Sequence, residues 1–343
     1  MTSKNDSRNV TSTTPALRRL TTVAGPLVWL VLVFCIFWGV DEYRARQQDR
    51  QGRFANAHSL RLMVHNASLV GVAALGMTIV IISGGIDLSA AAAIALSATV
   101  SAWCFRAEYS PVIGVSAALL TGLLTGVING AMVSWLRVVP FIITLGTMTI
   151  YRGVGREIAE GTPIRAFGKL PEWLLMLERP VPDPEWLLVS PGVWLMFGLS
   201  IVVAAMLHLT VFGRHVYAIG SNEATARLCG IDLNRTRIAV YSLAGLFVGI
   251  AGLYNLTTLS EGDPNSLPGR ELDIIAAVVI GGGSLNGGRG SVIGTLSGAL
   301  LMQVIRHGCR SVGVPTAYEQ IIIGVIVIVA VTLDQIRQRR LDR

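Results

Sequence analysis

Apolar residues in this chain gather into long blocks instead of alternating or marking one face of a helix. The first block runs from about Leu20 to Val40, and others lie near 63–84, 87–105, 112–135, 139–152, 190–210, 237–257, 272–286, 290–307 and 318–334. A helix needs about 20 mostly apolar residues to cross roughly 30 Å of hydrocarbon. The pattern therefore predicts an all-α polytopic membrane protein with about ten transmembrane helices. Blocks 139–152 and 272–286 fall short of the roughly 17 residues a crossing takes, and each reads as tilted, broken or re-entrant. Block 20–40 is longer than a signal-peptide core and has no small-residue cleavage site after it, so it reads as a retained anchor. The domain expectation is a tail at 1–19, a membrane domain at 20–334 and a basic tail at 335–343. Hydrophilic connections fall at 41–61, 153–189, 211–236 and 258–271.

Composition agrees. Of 343 residues, 52% are apolar and 14% charged, against about 25% charged in soluble domains. This excludes an ordinary cytosolic enzyme and a disordered chain. The net charge of +7 comes from 28 basic residues, with Lys4 and Lys169 the lysines and arginine the rest. They are scattered between apolar blocks and form no continuous basic face, so membrane-interface charge explains them better than nucleic-acid binding. An even number of spans puts both termini on one side. The basic residues divide evenly between the two sides, and the basic ends of the chain vote for a cytoplasmic location of both. Cys35, Cys104, Cys229 and Cys309 are isolated and read as thiols without a disulfide or metal role.

An internal repeat is also visible. Gly122, Gly126 and Gly130 recur every four residues, as do Gly290, Gly294 and Gly298, a spacing that lets helix backbones approach closely in lipid. Each triplet is followed by a Val-Pro pair, Val139-Pro140 and Val314-Pro315. In the ten-span count this makes spans 2–5 and 7–10 an inverted repeat of the kind transporters use.

The chemistry-bearing residues are few. There is no GxxxxGK[ST] phosphate loop, so ATP is not bound by that route. No metal cluster and no nucleophile–base pair stands out, which argues against an enzyme. Asp87, in Ser83-Gly84-Gly85-Ile86-Asp87-Leu88-Ser89, reads as the sole acidic residue deep within an apolar stretch, and paired charges within the spans are not expected. A carboxylate there suits the start of the alanine-rich helix that follows. Asn66, Ser83, Asp87, Phe141, Thr144 and Thr147 are candidates for a translocation path, each also open to a purely structural role in satisfying backbone groups. Between 211 and 236, Asn222 suits an N-cap, Glu223 a first turn and Gly230 the C′ position, which predicts a two-turn helix between two spans.

Four stretches together resemble the ribose-type permeases, the membrane subunits of bacterial ATP-binding cassette (ABC) sugar importers. They are Gly76-Met77-Thr78-Ile79-Val80 with Ser83 to Ser89, Pro140 to Thr147, Phe212 to Ile231, and Ala277 to Leu285 with Gly287-Gly288-Arg289-Gly290. The resemblance runs in order from about residue 60 to 333. It implies a permease moving a monosaccharide across the bacterial inner membrane, with nucleosides or branched-chain amino acids as the alternative cargo within the superfamily. A different class, an ion-coupled carrier acting alone, would need paired charges in the spans. The implied partners are ATPase subunits that hold Mg-ATP, a periplasmic sugar-binding protein, a second permease chain (identical or related) and membrane lipid, with no nucleic acid. No cofactor is implied in this chain. Carried onto these residues, Asn222 to Gly230 becomes the helix that couples to the ATPase, with Gly213, Arg214, Asn222, Glu223, Ala224, Ala226 and Gly230 serving that contact, and 211–236 and both ends lie in the cytoplasm.

Overall fold

The computed structural model describes residues 15–180 and 187–341. Of the expected tails at 1–19 and 335–343, residues 1–14 and 342–343 lie outside them, whereas 15–19 begin the first helix and 335–341 end the last. Ten helices fall where the apolar blocks predict: α1 (Pro15–Gln47), α2 (Ala57–Ile82), α3 (Ala90–Arg106), α4 (Pro111–Leu136), α5 (Pro140–Ile158), α7 (Pro191–Leu209), α10 (Leu233–Leu259), α11 (Arg270–Ile280), α12 (Val292–Ser311) and α13 (Thr316–Leu341). Three short helices lie in the connections: α6 (Glu172–Leu175), α8 (Val211–Ser221) and α9 (Glu223–Leu228). Among the described residues, five helices are long and apolar enough to cross a membrane by themselves, namely α1 from Gly25, α2, α4, α7 and α10.

The two short blocks resolve differently. Block 139–152 becomes α5, a helix of 19 residues that runs on through Arg152 and Arg156. Block 272–286 is broken: α11 has 11 residues, about 16 Å at 1.5 Å per residue, or half a bilayer. Both α11 and α2 end on glycine. Gly84 and Gly282 take positive φ (84° and 91°), and Gly85 N donates to Val80 O just as Gly283 N donates to Val278 O. This left-handed cap stops each helix at the same kind of turn.

Helices α2 and α10 form the centre and pack on each other. The neighbours of each correspond: α10 packs on α3 and α4 as α2 packs on α11 and α12, and α5 leans on α3 as α13 leans on α11. The exchange α2/α10, α3/α11, α4/α12, α5/α13 is the one the glycine triplets suggest. Gly122, Gly126 and Gly130 each meet α10 backbone, whereas Gly294 and Gly298 meet the carbonyls of Gly281 and Ala277 at α11, the counterpart of α3, so the two triplets do not make corresponding contacts. Gly290 precedes α12 and packs on the Ile82 side chain instead.

Connections gather on two faces. On one, a two-stranded ribbon pairs β1 (Ile164–Arg165) with β2 (Glu261–Gly262), tying the end of α5 to the end of α10. Lys169 Nζ reaches the Arg106 carbonyl there, which places the end of α3 on the same side. On the other, Gly288 N donates to Ile82 O at 2.8 Å, joining the 281–291 loop to the end of α2. Helices α8 and α9 lie on that second face, where Gly220 packs against Ile82 and Gly288 backbone.

Candidate functional site

Helix α9 is built as its sequence predicts. Asn222 Oδ1 accepts from Thr225 N at 2.9 Å, satisfying a donor the first turn would leave orphaned. At the other end Gly230 takes φ +82° and Ile231 N closes on Ala226 O. Ala226 is buried against Ile219 and Leu233, anchoring the helix to α8 and α10. Glu223 is held by Arg237 at 2.5 Å. Asn222, Glu223, Ala224, Gly230 and Arg214 are exposed, whereas Gly213 and Ala226 are buried. The exposed set forms a surface; Gly213 and Ala226 shape it from beneath. A cavity of about 480 Å3 opens beside α9, bordered by Arg137, Glu223, Arg227 and Arg237.

The path candidates separate into two groups. Asp87 is buried, and its Oδ1 accepts from Ser89 N at 2.8 Å and Ser89 Oγ at 2.6 Å. Asn129 Nδ2 from α4 approaches both the carboxylate and Ser89 Oγ, the latter at 2.8 Å. Tyr151 of α5 donates to the Thr125 carbonyl at 2.9 Å and lies 3.1 Å from Asn129 Oδ1. Thr144 accepts from Leu88 N at 3.1 Å, so Asp87 and Thr144 are brought together at the α2–α3 break. Thr147 donates to the Thr144 carbonyl and Ser83 to the Val80 carbonyl, both buried. Asn66 and Phe141 stand apart, exposed on the outside of the bundle.

One sequence expectation is overturned: charges are paired within the helices. Arg306 of α12 bonds Asp273 of α11 and Glu319 of α13, each at 2.6 Å, and both carboxylate side chains are 1% exposed. The three residues lie about a turn from the ribbon-face ends of their helices and looked peripheral in the apolar blocks. Only the packing of α11, α12 and α13 brings them together and buries them. Sequence reading also passed over Glu178. Its carboxylate lies 3.3 Å from His65 Nε2 and accepts from Ser68 Oγ at 3.2 Å. Burial pushes Glu178 up to about 8.

The profile of the family described as branched-chain amino acid transport system / permease component matches residues 61–331. The chain is 38% identical over 295 residues to the ribose import permease protein RbsC of Escherichia coli K12, covering 83% of this chain and 88% of that protein. It is 36% identical over 278 residues to RbsC of Bacillus subtilis, covering 80% and 83%. The xylose transport system permease protein XylH of Escherichia coli K12 is 32% identical, covering 84% and 88%. A solved structure described as an inward-facing conformation of a metal-chelate type ABC transporter superposes with a TM-score of 0.50 at 15% identity, covering 92% of this chain and 98% of that one. That likeness concerns the fold.

Proposed function

This chain belongs to the branched-chain amino acid transport system / permease component family, and from that premise we propose that it is the membrane subunit of an ABC importer that carries a monosaccharide. The observation that carries the reading is the 38% identity to a ribose import permease across most of both chains. In this reading α9 seats in a cleft of an ATPase subunit, which binds Mg-ATP, while the hydrolytic chemistry stays outside this chain. The α9 face and both termini are cytoplasmic. The ribbon face meets a periplasmic sugar-binding protein, and a second permease chain completes the pair in the inner membrane.

The chain's own residues fit these roles. A capped helix with an exposed polar edge and a buried alanine foot is a rigid contact. ATPase closure would favour the permease conformation in which two such helices stand closer together, shifting the spans between outward and inward access. A sugar carries no charge, so its route needs hydrogen-bonding groups more than fixed charge. The Arg306 ion pairs give the ion-coupled reading one supporting observation. However, both acids face an arginine that stays charged, so these pairs do not themselves supply a carboxylate that takes up and releases a proton.

The test is uptake of labelled pentoses and hexoses into vesicles holding this chain, with and without its ATPase and binding protein. The importer predicts uptake of a selected sugar only with all components and ATP. Uptake by this chain alone, driven by a pH gradient, would overturn the reading.

A further inference from the structure

The loop between β2 and α11 dives into the bundle along α3. Gly262 lies against Thr99 and Ala102, near the end of α3. Two residues later Pro264 packs by Gly155 of α5, close to Leu96. The next residues line a cavity of about 140 Å3 with Ala91 and Ala95, so the loop runs along α3 toward its start before α11 begins. This explains how an 11-residue helix serves as a span: its missing half is this re-entrant loop. Irregular backbone at membrane depth is tolerated where it is buried in protein or lines a water-filled cavity, and broken helices of this kind form binding sites in transporters.

The tip of the loop carries polar groups that lipid would not tolerate. Asn265 Oδ1 accepts from both Nε and a terminal nitrogen of Arg156, at 3.1 and 2.9 Å. Both side chains are exposed. Arg156 belongs to the last turn of α5, near the ribbon face, and an exposed amide and guanidinium there need water or a polar ligand beside them. Arg152, on the same side of α5, is 3.5 Å from Glu271, which leaves Arg156 without an acidic partner among the described residues. The Asn265 amide nitrogen and the other terminal nitrogen of Arg156 remain as donors at a cavity also lined by alanine and proline. That is the chemistry a sugar offers to a protein: vicinal hydroxyls on one edge and C–H groups on a face. A volume of about 140 Å3 holds about four or five waters at ~30 Å3 each, a small polyol's worth of space.

We propose that this cavity is a monosaccharide subsite on the translocation route, with Asn265 and Arg156 holding neighbouring hydroxyls of the passing sugar. The proposal rests on the importer reading and adds residues in the permease that select among sugars already delivered to it.

The test uses the complete transporter in proteoliposomes at saturating loaded binding protein, so that the binding protein's affinity drops out. Turnover is measured for the sugar the uptake panel selects and for its monodeoxy analogues, in wild type, Asn265→Ala and Arg156→Lys. A site that hydrogen-bonds a hydroxyl discriminates strongly against the analogue lacking it. Wild type is therefore expected to prefer the parent sugar, and each variant to lower that preference by about tenfold for one deoxy position. Equal slowing of parent and analogues in both variants would make the pair a structural latch and overturn the subsite alone. Wild-type complex that moves no sugar would sink the importer reading and the subsite with it. Should Asn265→Ala fail to assemble, judged by loss of ATP hydrolysis, Arg156→Lys decides, since it keeps the charge and removes the planar fork.

Discussion

Gly126 of α4 meets the carbonyl oxygen of Tyr241 on α10 with no space between them for a methyl group. Glycine at this crossing lets two helices pack backbone to backbone, where dispersion and weak C–H···O contacts replace the hydrophobic drive that lipid does not supply. Gly126→Ala is expected to lower stability by about 1–3 kcal/mol, the usual range for overpacking. Gly198 of α7 has open space around it, so Gly198→Ala should leave stability unchanged or slightly raised. Thermal unfolding of the two variants in detergent checks the contrast; similar losses from both would refute the backbone contact.

The cap on α9 is expected to matter more for coupling than for folding. Asn222→Ala removes the acceptor for Thr225 N and costs roughly 1 kcal/mol locally, so α9 frays while the bundle stands. Sugar moved per ATP hydrolysed should fall several-fold, and Asn222→Asp, which keeps the acceptor, should retain most of it. Charge reversal at Glu223 or a bulky residue at Ala224 should uncouple likewise. Normal coupling in all of these variants would remove α9 from the ATPase contact.

Arg306 neutralises two carboxylates at once. Arg306→Ala leaves Asp273 and Glu319 buried without that partner, and removing one member of a buried ion pair typically costs 3–5 kcal/mol. Adding Asp273→Asn and Glu319→Gln to that variant should recover most of the loss. Denaturation midpoints of the single and triple variants decide the matter. A triple variant no more stable than the single would mean that packing, and not charge, holds α11, α12 and α13 together.

Glu178 links stability to pH. Its folded value of about 8 exceeds the ordinary 4.5 because burial disfavours the charged form. Between those values the folded protein holds a proton that the unfolded chain has released. Its contribution is therefore complete below about 4.5 and is lost as pH rises through about 8. Wild type should grow less stable across that interval, and Glu178→Gln should show a flatter profile. Parallel melting curves for the two proteins from pH 5 to 9 would contradict the assignment.

The sequence made the spans and α9 legible because each is written in local signals: apolar length for the first, and Asn222 with Gly230 for the second. Helix α8 was hidden by Gly213 and Gly220, poor helix formers that are there because neighbouring carbonyls, of Leu207 and Ile82, leave no room for a Cβ. The hydrogen bond from Leu88 to Thr144 joins residues 56 apart, and Arg306 reaches Asp273 across 33. No local pattern records such pairings. The shortness of 272–286 was visible, but its cause, a loop descending beside α3, belongs to tertiary packing.

The place where Ile82, Gly220 and Gly288 meet is made of main chain alone: an N–H to a carbonyl, with a glycine wedged beside them. Side chains give under load by changing rotamer; peptide groups in contact do not. Helix α8 runs from this point directly into α9, so in the proposed coupling a displacement of α9 would reach the end of α2 through main-chain contacts. A single added methyl group at Gly220 would fall on the Ile82 carbonyl and the Gly288 N–H and pry the two segments apart.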